Sequence, residues 1–249
     1  MHASAMEENR IVAMWSGPRN VSTALMYSFA QRADTAVWDE PYYAAWLAAT
    51  GEPHPMRAAI LTAGPTAPAN VAERILQPTI QPVHYQKHMT HHMLPDFALD
   101  RWFARASHAF LIREPASVLA SYRAKYDHVS LALIGYPQQA DLFDRAADAL
   151  GRAPPVIRGR DIQNAPEKAL PALTAALGLA FDPAMLVWAS GPKPYDGVWA
   201  PHWYDKVWAS TGFVPAVGQS HPDLPAPLAR LADAAEAQYR RLEAYALAV

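Results

Sequence analysis

The sequence predicts an α/β fold of three layers, α/β/α, with helices on both faces of a central parallel sheet. Three stretches predict it. Ile11-Val12-Ala13-Met14-Trp15 is a short apolar run stopped by Ser16-Gly17-Pro18, as a buried strand ending at a turn is. Ala24 to Phe29 follows, rich in helix formers, with Val21, Leu25 and Phe29 on one helical face. The same order returns with the apolar run Ser107 to Ile112, the turn Arg113-Glu114-Pro115 and a helix carrying Val118, Leu119 and Tyr122. Between these two units, only Arg32-Ala33-Asp34 separates the first helix from a second strand, Thr35 to Trp38. Strand–helix–strand with one short turn opens a parallel unit.

The chain has 249 residues, enough for a substantial core, and one domain over residues 1–249 is expected. A hydrophobic fraction of 51% and a charged fraction of 18% set it apart from disordered chains. The formal charge of −2 excludes a broad nucleic-acid footprint, so an anion site must be local. With no cysteine there is no disulfide framework, thiolate metal site or cysteine nucleophile. The N-terminal MHASAMEENR lacks a positive region followed by an apolar core, and no apolar run approaches a bilayer span. A cytoplasmic protein without membrane or nucleic-acid partners is expected, as a monomer or a homodimer.

In chain order, the first turn of the first helix presents free backbone N–H groups and the positive end of a dipole. The hydroxyls of Ser22 and Thr23 and the guanidinium of Arg19 stand beside them, which suits a phosphate or a sulfate. The loop from Gly17 and Pro18 through Asn20 and Val21 is not the ATPase version. GxxxxGKS/T needs a second glycine and a lysine, and Val21 stands where that pair belongs. Glu40 follows the second strand at the sheet edge where ligands bind, either as a solvated carboxylate or as a general base. Residues 51–82, rich in proline and alanine with a helical stretch at Val71 to Leu76, read as a surface excursion walling an acceptor pocket.

Pro82 to Lys87 is the third predicted strand. His84, His88, His91 and His92 crowd nine residues, and His88 with His92 at i, i+4 raises a metal reading. Without an HExxH pattern or nearby carboxylates, no metal is expected. A short helix is predicted over Asp100 to Ala106, a loop at Gly135-Tyr136-Pro137 and a helix over Asp141 to Leu150. A fifth strand, Pro155 to Arg158, and an amphipathic helix from Pro166 to Gly178 come next. Residues 191–213 hold Trp199, Trp203, Tyr204 and Trp208 among turn residues, and a final helix is predicted over Pro225 to Val249.

Several of these stretches resemble the PAPS-dependent sulfotransferases, with the character of a divergent bacterial member. Pro18 to Thr23 resembles the family's PKSGTT loop, with Arg19 replacing lysine, and the resemblance implies that it holds the 5′-phosphosulfate of the donor. FLIREPASVLASY resembles the 3′-phosphate motif, which makes Arg113 and Ser121 the pair that grips one phosphate; an arginine fork bonds two phosphate oxygens at once. Lys87 followed by Thr90-His91 and Leu94-Pro95 resembles KTHLP, although three residues separate Lys87 from His91 where the family has one. Some trehalose-type bacterial relatives carry a catalytic glutamate just after strand two, the place of Glu40. RGRDIQNAPEKALPALTAALGLAF resembles the segment after the family core, with Arg160 in place of the adenine-contacting tyrosine. GVWAPHW resembles the loop that closes over the donor, bringing in Trp199, with Lys193 at the place of a basic residue.

The resemblance implies a P-loop-like fold and transfer of a sulfuryl group from PAPS, giving PAP, to a hydroxyl or amine of a small-molecule acceptor. Arg19, Ser22, Thr23 and Lys87 would neutralise developing charge, and Glu40 or one of His88, His91 and His92 would deprotonate the acceptor. The rivals are an ATP-using P-loop phosphotransferase and a nucleotide-binding relative without turnover.

Overall fold

A computed structural model describes residues 9–97, 99–126, 128–216 and 222–249. The N-terminal stretch up to Glu8, read above for a secretory signal, lies outside them. Among the described residues five strands, β1 (Arg10–Ser16), β2 (Thr35–Asp39), β3 (Val83–Met89), β4 (Ala106–Ile112) and β5 (Val156–Arg158), make one sheet. Its order is β2-β3-β1-β4-β5, parallel throughout. In chain order the helices begin with α1 (Ser22–Phe29), α2 (Tyr43–Thr50), α3 (Arg57–Ala63) and α4 (Pro68–Ile75). After β4 come α5 (Pro115–Arg123), α6 (Leu131–Ile134) and α7 (Tyr136–Leu150), and after β5 α8 (Gly159–Asn164) and α9 (Pro166–Ala176). Two short helices, α10 (Ala200–Trp203) and α11 (Asp205–Trp208), precede α12 (Ala226–Glu243).

Side chains alternate along a strand, so the sheet divides the apolar residues into two cores. Val12 and Met14 of β1 pack with Leu25, Met26 and Phe29 of α1 and with Leu170 and Leu173 of α9. Ile11, Ala13 and Trp15 face the other way, toward Trp46 of α2, Val71 and Ile75 of α4, Phe143 of α7 and Leu242 of α12. This is the three-layer α/β/α fold. No helix among the described residues is long and apolar enough to cross a membrane.

Four predicted elements differ. β3 runs two residues past Lys87, so His88 is a strand residue and Thr90–His92 a 3-10 turn; the helical i, i+4 pairing of His88 with His92 does not form. Residues 51–82 carry α3 and α4, and Ile60, Val71, Ala72 and Ile75 are buried in the core. α3 buries Ile60 alone and shows no period in the sequence, whereas α4 covers most of the helical stretch expected at Val71 to Leu76. The predicted helix at Asp100 to Ala106 is only a 3-10 turn, Phe103–Arg105, because β4 already starts at Ala106. Tyr136 and Pro137 form the first turn of α7 behind Gly135, whose φ of 73° and approach to Thr90 leave no room for a side chain.

Among the described residues six histidines are buried, His54, His84, His88, His91, His92 and His108. Burial pushes His54, His84 and His108 down to about 4 and His91 to about 3, and holds His88 and His92 well below the usual imidazole range. Below about pH 6.5 the unfolded chain protonates these rings while the folded chain does not. Stability is therefore present in full above that pH and is lost as pH falls toward 4. Glu40, pushed up to about 7, opposes this with one proton between its usual 4.5 and 7. Urea denaturation at pH 7 and pH 5 should show a steep loss, up to about 1.4 kcal/mol per pH unit for each histidine engaged. An unchanged midpoint would mean that the rings charge within the fold.

Candidate active site

β1 lies between β3 and β4: the chain leaves it first toward β2 on one side and later reaches β4 on the other. A crevice opens outside the carboxyl ends of the strands at such a switch point. Here it is a cavity of about 640 Å³, within the roughly 300–1,000 Å³ of small-molecule sites.

Its first wall is the loop between β1 and α1. Pro18, Asn20 and Val21 line it with Arg19, Ser22 and Thr23, while Gly17 lies behind, where a Cβ would meet the Ile134 carbonyl at 3.0 Å. Arg19 takes a left-handed φ of 56°, and its carbonyl accepts a hydrogen bond from Arg113 Nη1 at 2.6 Å. Its own Nε donates to Ser121 Oγ at 3.2 Å. Asn20 ties the loop to β4, Nδ2 donating to the Leu111 carbonyl at 3.2 Å, and Oδ1 accepts from Val21 N at 2.9 Å. Gly159 makes room for it, since a Cβ there would collide with Asn20 Oδ1. Thus Arg19, Arg113 and Ser121, from two strand–turn–helix units, share one wall. Burial lowers the pKa of both arginines, and for Arg19 the charge of Arg113 adds to this against the attraction of Asp205. Among the described residues neither forms an ion pair with a carboxylate.

The second wall is a buried charge cluster. Lys87, 1% exposed near the end of β3, has Nζ 2.8 Å from Asp39 Oδ1 and 2.9 Å from Glu40 Oε1. The same ammonium donates to Thr23 Oγ1 at 3.1 Å and to Tyr204 Oη at 2.5 Å. Tyr204 donates in turn to Asp39 Oδ2 at 2.7 Å, and Gly197 N donates to that oxygen at 3.1 Å. Glu40 sits just past β2 with a φ of 41°, pinned by its N–H to the Lys87 carbonyl at 2.9 Å. A non-glycine residue held in this region is strained, and such strain gathers at functional positions. Burial, against the pull of Lys87 and with the push of Asp39, raises the Glu40 carboxyl to about 7. Burial alone would lower Lys87, but Asp39 and Glu40 outweigh it, and the ammonium is held above its usual value.

The family described as sulfotransferase domain matches residues 9–245. The chain belongs to this family. Two relatives from Arabidopsis thaliana, named branched-chain-amino-acid aminotransferase-like proteins 1 and 2, are 38% and 34% identical over 84% and 82% of this chain. The chain spans only 37% and 36% of their lengths. The sulfotransferase domain of the curacin biosynthetic pathway has a similar fold, with a TM-score of 0.54 at 17% identity over 96% of this chain and 99% of that one. So has a sulfotransferase from Alicyclobacillus acidocaldarius, at 0.56 and 16% over 95% of each chain. A mouse sulfotransferase complexed with PAP gives 0.57 and 13% over 96% of this chain and 89% of that one.

In this sulfotransferase domain the three histidines of the cluster separate. His91 and His92 line the cavity, His92 stacked on Tyr43 at 4.3 Å with Nδ1 3.9 Å from Glu40 Oε2. His88 does not reach it: the ring stacks on Trp15 at 4.5 Å and Trp102 at 5.4 Å, with Nε2 bonded to Gln86 Oε1 at 2.9 Å. It is a core histidine, because an extra strand residue turns its side chain away from the sheet edge. Lys193 is also elsewhere, donating to the carbonyls of Ser190 and Gly191. Trp199 stands behind the cavity, bonded through Nε1 to Tyr204 Oη at 3.1 Å. Arg160, at the family's tyrosine position, pairs with Glu114 at 3.0 Å, and Gln163 of the same helix lines the cavity instead. Sequence reasoning missed Asp39, Tyr204, Tyr43 and His54. Asp39 was legible as the neighbour of Glu40, whereas the other three are placed only by tertiary packing.

Proposed function

We propose that this domain transfers a sulfuryl group from PAPS to a hydroxyl or amine of a small-molecule acceptor. The observation that carries the reading is the pair Arg19 and Arg113, two partly buried cations on one cavity wall without a carboxylate partner among the described residues. Cations so placed call for an anion, and the α1 N-terminus with Ser22 and Thr23 beside them extends the site for a second one. A donor with a 3′-phosphate and a 5′-phosphosulfate fits this distribution. When bound, PAPS supplies the activated sulfuryl group.

The chain's own residues divide the remaining work. Arg113 and Ser121 hold the 3′-phosphate, while Arg19, Ser22 and Thr23 hold the 5′ end. Lys87, fixed in its charged form, stabilises negative charge through its place beside Thr23. Glu40 takes the acceptor proton, since a carboxyl titrating near neutrality is suited to a general base. Residues 191–213 act as a lid that contributes Trp203 and Tyr204, and His54 is the contribution of residues 51–82 to the acceptor wall. The reading keeps one domain over 1–249, its cytoplasmic setting and a monomer or homodimer. An aminotransferase reading, suggested by the names of the plant relatives, finds no support at Lys87, which two carboxylates hold protonated, and this chain spans only 37% and 36% of those relatives.

Binding of PAP and of adenosine 5′-phosphosulfate to Ser121→Ala and Arg113→Ala tests the assignment. Ser121→Ala should weaken PAP several-fold and the other ligand less, through loss of the hydroxyl that accepts from Arg19 Nε. Arg113→Ala should cost PAP roughly 10- to 100-fold, as a charge-assisted hydrogen bond is worth about 1.5–3 kcal/mol. It should cost the 5′-phosphosulfate less, through loss of the support that Arg113 gives the Arg19 carbonyl. Equal losses for both ligands in both variants would show that the 3′-phosphate lies elsewhere.

A further inference from the structure

The first turn of α7 stands behind the anion wall, and two of its buried side chains reach the strand ends that carry that wall. Tyr136 and Gln139, 4% and 3% exposed, lie at i and i+3 on one helical face. Tyr136 Oη donates to the Arg113 carbonyl at 2.6 Å. Gln139 Nε2 donates to the Leu111 carbonyl at 3.0 Å and to the Trp15 carbonyl at 3.4 Å. Leu111 and Trp15 are the next-to-last residues of β4 and β1, the strands whose following turns supply Arg113 and Arg19. Neither Tyr136 nor Gln139 lines the cavity.

The two turns need such support. Arginine is long and rich in rotamers, so the backbone beneath it must be held within about 0.5 Å of the working geometry. Arg19 also carries a left-handed φ of 56°, a strained conformation that persists only where its surroundings hold it. Two bonds do so: Arg113 Nη1 on the Arg19 carbonyl, and the neighbouring Asn20 Nδ2 on the Leu111 carbonyl. Both lead back to α7. A carbonyl oxygen has two lone pairs, and that of Leu111 accepts from Asn20 and from Gln139. Arg113, which holds Arg19, is itself held at its carbonyl by Tyr136. Many carbonyls would satisfy a buried tyrosine and glutamine, and these two take the ones that anchor the arginine turns.

We propose that Tyr136 and Gln139 are positioning residues for the anion wall, Tyr136 fixing the Arg113 turn and Gln139 the loop that carries Arg19. The choice of PAP and AMP as probes rests on the sulfotransfer reading; the brace itself does not, and inorganic sulfate is the probe that separates the two.

The test is titration of the full chain and of Tyr136→Phe and Gln139→Met with PAP, AMP and sulfate, followed by backbone amide NMR well below the thermal midpoint of each protein. Tyr136→Phe should weaken PAP by about five- to tenfold and AMP less, because the 3′-phosphate partner is the one displaced. Gln139→Met should weaken both nucleotides by a similar factor or more, because both share the 5′ end. Sulfate should weaken in each variant. A merely structural role would lower the midpoint and leave the affinities of the folded protein as they were. Tyr136→Phe removes one oxygen only and keeps the test open should Gln139→Met fail to fold. Sulfate weakened in the variants of a chain that prefers AMP to PAP would retain the brace and remove the donor reading. Unchanged affinities for all three probes in either folded variant, or a wild-type chain that binds none of them, would overturn the proposal.

Discussion

Glu40→Gln is expected to lower turnover by about 10²–10⁴-fold, the range that a general base contributes, while PAP affinity is kept. The amide has the shape of the carboxyl but cannot take a proton, and Asp39 remains to balance Lys87. The wild-type pH profile carries the same assignment. Burial raises Glu40 to about 7, and the base must be ionised to act, so the rate should rise through pH 7 and level off above it. A bound anionic donor moves this limb upward, never down. The buried histidines give the opposite signature. His91 titrates at about 3 and His92 well below its usual range, so a histidine base leaves the rate flat from pH 5 to 8. The ordinary order of carboxylate and imidazole is inverted in this site, because desolvation disfavours the charged form of each. A flat profile with full activity in Glu40→Gln would move the role to His91 or His92.

Lys87→Met should have the largest effect on stability. It leaves Asp39 and Glu40 together in a buried site without their shared cation, and removing one partner of a buried pair costs about 3–5 kcal/mol. Adding Asp39→Asn should restore part of the loss, because one of the two like charges is gone. Asp39→Asn alone should loosen the segment that Asp39 holds through Tyr204 Oη and Gly197 N. Denaturant midpoints of the two single variants and the double variant measure the coupling. Additive losses would show that the carboxylates do not depend on Lys87 for their charge balance.

The layered parallel sheet was readable because β1 and β4 are apolar runs stopped at turns, which is what strands buried on both faces require. That Arg19 and Arg113 share one wall was readable for a related reason: Arg19, Ser22 and Thr23 follow one strand end, and Arg113 and Ser121 another, so local order alone brings them to one edge. Chemistry set by packing was harder to read. The two extra residues of β3 decide that His88 faces Trp15 while His91 and His92 face the cavity, and a one-residue change of register reverses a side chain. Tyr204 lies 117 residues from Lys87 and gives no local sign that it will bond to it. The helix α2 went unread because Tyr42 to Leu47 is apolar on every side, with neither a helical nor a strand period.

The proposed ligand of the cavity is a nucleotide with phosphates at both the 3′ and 5′ positions of its ribose. Calorimetric titration of the purified protein with PAP, AMP and ATP tests this most directly. PAP should bind more tightly than AMP by at least about tenfold, the worth of one charge-assisted contact, ATP should gain nothing over AMP, and Arg113→Ala should erase the PAP advantage. ATP binding above PAP, or equal affinity for PAP and AMP, would contradict it.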